Sequence, residues 1–334
     1  MNPEWKHDIE KRLTSVPDHT IAERSYVTPE KAPSIHFNPF PASPGGKGSI
    51  ETYSLYPGIT LSFLDLAADQ ASFHHAAWNS VIEINYCRYG RIGWEMGNKT
   101  TLYLGPGDCS IHTMSLCAQS TMMLPLGYYE GLTIFADLHK LTAEPPGLLQ
   151  GTGITGESLR EKFCPDGTFS TFPGDERTDA IFRPLFDLPE QLRFPYFKLK
   201  AQELLLELHR LPKQSGNMLT QYQAGQIHTI RQIHEQLMQH LDQRITIETL
   251  SRQYLMNPTT LKEVFKTVYG TSIAAHMKEH RMEKAAQLLR NTESSIAQIA
   301  KAVGYESQSK FTAAFKDTFG MMPSLYRKTY MGRP

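Results

Sequence analysis

The sequence predicts an α+β chain in two parts: a β-barrel with appended helices, then an all-α unit containing a double helix-turn-helix. Three observations carry this expectation. Residues 50 to 138 alternate apolar and polar positions in short runs broken by turn signals. From about residue 140 the apolar spacing lengthens to that of a helix. A block of about fifty residues then repeats inside the last third.

The chain has 334 residues, of which 40% are hydrophobic and 20% charged, enough for two domains that each bury a core. No apolar run reaches the length of a membrane span. The opening MNPEWKHDIEKRLTSV lacks the apolar centre of a signal peptide. The four cysteines, Cys87, Cys109, Cys117 and Cys164, form no CxxC pair and read as reduced thiols, so a cytoplasmic location is expected. The net charge of zero conceals a division. Residues 222 to 334 hold 15 Lys and Arg against 9 Asp and Glu, a balance of +6, and the remainder carries −6. That places contact with a polyanion at the C-terminal end.

Residues 1–48 are polar and rich in Pro and Gly, and read as a flexible N-terminal arm with room for one short helix near its start. The segments ETYSLYPGITLSFLDL, SVIEINYCRYGRIGWEMGN, TTLYLGPGDCSIHTMS and STMMLPLGYYEGLTIFADL then read as paired strands around turns. Gly90, Gly97 and Pro106-Gly107-Asp108 supply the turn chemistry. About eight strands in this stretch suggest a barrel or sandwich. Next, YFKLKAQELLLELHRL, residues 196–211, reads as an amphipathic helix with Leu199, Leu204, Leu205, Leu208 and Leu211 apolar. Residues 49–212 therefore form the expected barrel domain with its helical appendage, 213–221 a linker, and 222–330 the helical unit.

The repeat pairs TLSRQYLMNPTTLKEVFKTVYGTSIAAHM with QIAKAVGYESQSKFTAAFKDTFGMMPSLYR. Leu250 aligns with Ile299, Leu261 with Phe311, Phe265 with Phe315, and Gly270 with Gly320. In each copy a short helix precedes a turn, and a longer helix ends at glycine, where a left-handed cap is easily formed. Asn257 followed by Pro258, and Ser307, are the expected N-caps. This is a helix-turn-helix layout, whose second helix carries its polar N-terminal end into the DNA major groove. The exposed positions are Thr259, Thr260, Lys262, Glu263 and Lys266 in the first copy, and Gln308, Ser309, Lys310, Thr312, Ala313 and Lys316 in the second.

These residues give the segment from 222 to 330 a resemblance to the AraC/XylS transcription regulators. Its carriers are Ile296, Ile299, Ala300, Val303, Gly304, Tyr305, Ser307, Phe311, Phe315, Lys316, Phe319, Gly320, Pro323, Tyr326 and Arg327, with Arg281, Ala285 and Leu289 on the linking helix. NPTTLKEVFKTVYG, WNSVIEINYCRYGRIGWEMG and LPLGYYEGLTI further resemble the siderophore-responsive branch. Leu255 departs from the pattern, standing where the second copy has Gly304, and this implies a differently shaped first turn.

The resemblance implies two DNA-reading helices per protomer, joined by a rigid helix from about Ser272 to Leu289, and a cupin-like N-terminal barrel that holds a ligand. It also implies a sensor and dimerisation role for residues 49–212. Gln308, Ser309, Thr312, Thr259, Thr260 and Glu263 are then expected at base edges. Lys262, Lys266, Lys310, Lys316 and Arg327 are expected at phosphates or guanines. Trp78, Tyr86, Trp94, Tyr128 and Tyr129 are candidates for the ligand pocket, with ordinary barrel core as the alternative. The expected partners are double-stranded DNA, a small-molecule effector, RNA polymerase and a second copy of the chain, but no membrane. No cofactor, metal ligand or catalytic residue is expected.

A cupin-type metalloenzyme with a helical appendage is the competing reading. His74 and His75 are adjacent and point to opposite faces of an extended strand, so with Glu83 and His112 they do not make the usual ligand spacing. A DNA-bending protein whose barrel serves only to dimerise is the third reading. His228, His234 and His240, on the helix before the first motif, read as solvated.

Overall fold

The computed structural model describes residues 3–42, 45–73, 76–95, 100–118, 120–211, 219 and 222–331. They divide into two units, Met1–Ala224 and Gly225–Pro334. The first is sheet-rich with appended helices, and the second is helical, in line with the α+β expectation.

The first unit holds two sheets. The larger has eight strands in the order Ser170–Phe172, Cys109–Thr113, Val81–Gly90, Tyr129–Asp137, Ile59–Ala67, Lys47–Tyr56, Thr20–Tyr26 and Ser34–Pro39. The smaller has five, in the order Tyr222–Gln223, Thr100–Leu104, Ile92–Glu95, Thr121–Met123 and Gln70–Ser72. Pairing is antiparallel except between Thr20–Tyr26 and Lys47–Tyr56.

Both faces of the larger sheet are covered, and the strand period sorts side chains between them. Ile82, Ile84, Tyr86, Leu132 and Ile134 pack under helices, chiefly the helix Glu190–Arg210 through Phe194, Phe197, Ala201, Leu204, Leu205 and Leu208. A separate core of Leu66, Cys87, Ile92, Trp94, Leu102, Leu104 and Tyr129 joins the two sheets. Each fully buried Leu or Phe in these layers contributes roughly 1.5–3 kcal/mol of transfer free energy.

The expected flexible arm is instead part of the fold. Pro3–Arg12 is a helix, and the next two strands extend the large sheet. The cause is a small apolar stripe: Ile9, Leu13 and Val16 recur at helical spacing and pack on Ala22 and Tyr128. Arg12 locks the contact with ion pairs to Asp65 at 3.0 Å and Glu130 at 2.9 Å.

The expected linker 213–221 lies outside the described residues except for Leu219. That residue packs in the inter-sheet core, and its N–H donates to Thr171 Oγ1 at 2.8 Å. Tyr222–Gln223 then pairs with Thr100–Leu104, so the division between units falls after Ala224 rather than at 221. Backbone pairing sets this boundary, and polar composition gave no sign of it.

In the second unit the helices are Ala224–Gln239, Ile247–Gln253, Pro258–Tyr269, Ile273–Asn291, Ile296–Ala302, Gln308–Phe319 and Pro323–Tyr330. The caps form as their residue types dictate. Asn257 Oδ1 accepts from the Thr259 N–H at 2.8 Å, and Ser307 Oγ accepts from the Lys310 N–H at 3.3 Å. Gly270 and Gly320 close their helices with φ of 77° and 71°.

The first turn corrects the reading of Leu255. Its φ is +50°, against +78° at Gly304, so both turns take the same left-handed form despite the missing glycine. Leucine holds that conformation at a cost of about 1–2 kcal/mol. The side chain is 93% exposed, so the fold recovers little by packing it. Leu255→Gly is therefore expected to stabilise the unit by about 1 kcal/mol in denaturant unfolding, less what glycine returns to the unfolded chain as entropy.

Candidate nucleic-acid interface and sensor cavity

The helices Pro258–Tyr269 and Gln308–Phe319 each have one face in the core and one in solvent. Leu261, Val264, Phe265 and Val268 anchor the first, and Phe311 and Phe315 the second. Helical period sets the outward face, except for Gln308, which lies seven residues before Phe315 and is exposed because it opens its helix. Thr259, Lys262, Glu263 and Lys266 are exposed on the first, with Thr260 half-buried. Gln308, Ser309, Lys310 and Lys316 are exposed on the second, with Thr312 half-buried. Both helices therefore present cationic and hydrogen-bonding side chains from a capped N-terminal turn.

The turn before the second helix is held from behind. Arg281, on the linking helix, donates from Nε to the Leu241 carbonyl at 2.8 Å and from Nη2 to the Gln243 carbonyl at 2.7 Å. A Cβ at Gly304 would come within 2.7 Å of the Leu241 carbonyl oxygen and 3.0 Å of Arg281 Cζ. Glycine is needed at this turn for its φ and for the close approach.

Arg327, expected at phosphates or guanines, makes a contact within the unit. It is half-buried, and its Nη2 donates to the Ser294 carbonyl, tying the last helix to the loop before Ile296–Ala302. Tyr326 beside it is buried in the core, which draws Arg327 inward.

In the first unit a cavity of about 250 Å³ opens between the sheets. Its apolar lining includes Ile50, Leu64, Phe73, Ile92, Trp94, Met122, Tyr129 and Phe135. Of the five expected aromatic residues, Trp94 and Tyr129 line it. Tyr86 lies on the other face of its strand, stacked on Phe182 and donating its hydroxyl to Asp179 at 2.9 Å. Tyr128 packs on the N-terminal helix, and Trp78 is exposed. Strand parity explains Tyr86, whereas Trp78 and Tyr128 lie outside the strands.

The polar side of the cavity is a connected set that the sequence reading did not assemble. Thr133 Oγ1 donates to Asn85 Oδ1 at 2.7 Å, and Asn85 Nδ2 lies 3.0 Å from His112 Nε2. Glu83 stands directly across the ladder from His112, with Oε2 3.9 Å from Nε2. Cys117 Sγ donates to Glu83 Oε1 at 3.6 Å, and burial pushes its thiol well above the usual range. Ligand atoms of Glu83, His112 and Cys117 lie within 4.8 Å of one another. The parity that buries Ile82, Ile84 and Tyr86 on one face sends Glu83 and Asn85 to the other, and that alternation was the available signal. His74 and His75 lie outside the described residues.

The histidines of the first C-terminal helix do not share one environment. His228 is exposed, whereas His234 is half-buried, stacked on Tyr269 with centroids 4.3 Å apart, and 3.0 Å from His276 Nε2. Burial lowers His234 to about 4 and His276 to about 3, so both rings are neutral at neutral pH.

A helix-turn-helix domain model matches residues 250–329. The chain is 35% identical over 130 residues to the HTH-type transcriptional regulator ExsA of Pseudomonas aeruginosa, covering 39% of this chain and 46% of ExsA. It is 30% identical over 128 residues to the transposon Tn10 TetD protein of Escherichia coli, covering 37% of this chain and 93% of TetD. Among solved structures, the C-terminal domain of AraT, a response regulator from Geobacillus stearothermophilus, shares 36% identity over 31% of this chain and 86% of its own, with a TM-score of 0.30. The chain thus spans less than half the length of ExsA, at 46%, but nearly all of TetD.

Proposed function

Because the chain belongs to the AraC/XylS family of helix-turn-helix regulators, we propose that it controls transcription by binding operator DNA through both C-terminal motifs, under the influence of a small molecule held in the N-terminal cavity. The observation that carries this reading is the pair of capped helices, each anchored by apolar residues and offering lysines and small polar side chains outward. Thr259, Thr260, Glu263, Gln308, Ser309 and Thr312 read base edges. Lys262, Lys266, Lys310 and Lys316 hold phosphates or guanines.

Two substitutions test this division. Gln308→Ala is expected to cost about 1–3 kcal/mol at one base pair of the preferred site while leaving random-sequence DNA bound as before. Lys316→Ala is expected to weaken all sequences alike and to lower the salt slope by about one. Affinity measured on both DNAs across a salt series decides it. Equal losses on specific and random DNA for both variants would refute the assignment.

The cavity favours a compact, mainly apolar effector with one polar group facing Asn85 or Glu83. Its volume of about 250 Å³ falls just below the usual range of about 300–1,000 Å³ for drug-sized ligands, which favours a small occupant. The effector acts by binding one arrangement of the protein more tightly than another, which shifts its affinity for DNA and its engagement of RNA polymerase. A cupin-type metalloenzyme would need Glu83, His112 and Cys117 as ligands. Metal content of the purified protein separates that reading from this one, since stoichiometric iron or zinc lost on Cys117→Ser would favour the enzyme.

The protein acts as a homodimer through the helix Glu190–Arg210 in this reading. Leu192, Leu199 and Leu206 recur one heptad apart and are 48%, 50% and 38% exposed, on the side away from the buried Leu204, Leu205 and Leu208. Leu199→Glu combined with Leu206→Glu is expected to halve the mass seen by light scattering without unfolding the protomer. A wild type that is already monomeric at high concentration would contradict it.

A further inference from the structure

The helical unit contains a histidine cluster that DNA reading does not use. His234 lies on the helix Ala224–Gln239, and His276 and His280 lie one turn apart on the linking helix Ile273–Asn291. Each offers one ring nitrogen, and the three nitrogens lie within 4.8 Å of one another. Nε2 of His234 is 3.0 Å from Nε2 of His276, and the rings of His276 and His280 are 4.5 Å apart. Phe265 and Tyr269 wall the cluster on its inner side.

A hydrogen bond between two neutral imidazoles would account for the close pair, but it leaves out His280, whose ring faces the pair while its side chain remains 34% exposed. His276 itself is 2% exposed.

We propose that His234, His276 and His280 form a binding site for a divalent transition-metal ion of the zinc type, which pins the first helix of the unit to the linking helix. Two histidines at i and i+4 on one helix face are a recurrent zinc-binding pair. Tetrahedral zinc, with bonds of about 2.0–2.1 Å to nitrogen, sets its ligand atoms about 3.3 Å apart, close to the 3.0 Å separation of the first two. His280 completes the set by rotating on its exposed side. Three imidazoles suit zinc, nickel or copper, whereas calcium and magnesium require oxygen donors. The fourth position falls to water or to Glu283, whose carboxylate is 3.4 Å from His280 Nδ1. Tyr269 ends the first reading helix and stacks on His234, so an ion here would brace the frame that presents Thr259 to Lys266.

The test uses the full chain, stripped by chelator and titrated with Co²⁺ as a visible probe, then with Zn²⁺ in competition. One equivalent of Co²⁺ is expected to give the intense d–d bands of a four-coordinate nitrogen-rich site, and Zn²⁺ is expected to displace it. His280→Gln alters a partly exposed residue and spares the core, which circular dichroism checks. It is expected to weaken Zn²⁺ binding by at least about tenfold. Cys117→Ser controls for the group in the sheet-rich unit and is expected to leave the signal intact. The proposal is overturned if the wild type takes up no Co²⁺ or Zn²⁺, if His280→Gln binds as the wild type does, or if Cys117→Ser abolishes the signal.

Discussion

Phe315→Ala is expected to destabilise the helical unit by about 3–5 kcal/mol and to remove specific DNA binding. Phe315 is fully buried, with ring centroids 5.7 Å from Phe311, 4.5 Å from Phe319 and 5.3 Å from Tyr326. Its loss leaves a cavity whose other walls belong to three helices, so relaxation into it is limited. Domain stabilities run at about 5–15 kcal/mol, so the change removes a large share of the total. The exposed residues Gln308, Ser309 and Lys316 are not themselves altered. Denaturant unfolding and DNA titration at reduced temperature separate the two effects. A loss below about 1 kcal/mol would mean that Phe315 does not hold the helix in place.

Glu130→Ala is expected to cost roughly 3 kcal/mol in the sheet-rich unit, within the range for breaking a buried ion pair from one side. Glu130 is 5% exposed and pairs with Arg12 and Arg88, each at 2.9 Å. Without it, two half-buried guanidiniums face each other. Arg12 keeps Asp65 at 3.0 Å, and Arg88 keeps the exposed Asp187. The N-terminal helix is bound by this pair and by Ile9, Leu13 and Val16, so faster proteolysis within residues 1–20 is a second readout. Glu130→Gln keeps the shape and an acceptor, and is expected to cost less than the alanine variant. Equal thermal stability of wild type and Glu130→Ala would show that the arm is held by apolar contacts alone.

The helical unit was legible because its signals are local. Asn257 and Ser307 cap helices within three residues of themselves, Gly270 and Gly320 end them, and the apolar period chooses the buried face. Leu255 shows the limit of that logic. The turn holds leucine in a conformation that glycine adopts freely, and composition alone cannot tell strain from a different turn.

The cavity in the sheet-rich unit was less legible. Tyr86 and Asn85 are adjacent, yet one packs under helices and the other lines the cavity. Aromatic type pointed to the wrong one of the pair, whereas alternation would have pointed to the right one. A short N-terminal helix was within the reading, but its docking was not, because Ile9, Leu13 and Val16 are sparse among charged residues. His234 and His276 are 42 residues apart, and no local pattern joins them. Arg327 read as a free cation because its partner is a backbone carbonyl 33 residues away.

Selection of binding sites from random duplex DNA with the full chain bears most directly on the double reading helix. Two short conserved blocks about one helical turn apart, roughly 10 base pairs between centres, are expected. Gln308→Ala should relax a position in one block and Thr259→Ala a position in the other. Recovery of no preferred sequence at moderate ionic strength, or of a single block indifferent to both substitutions, would contradict it.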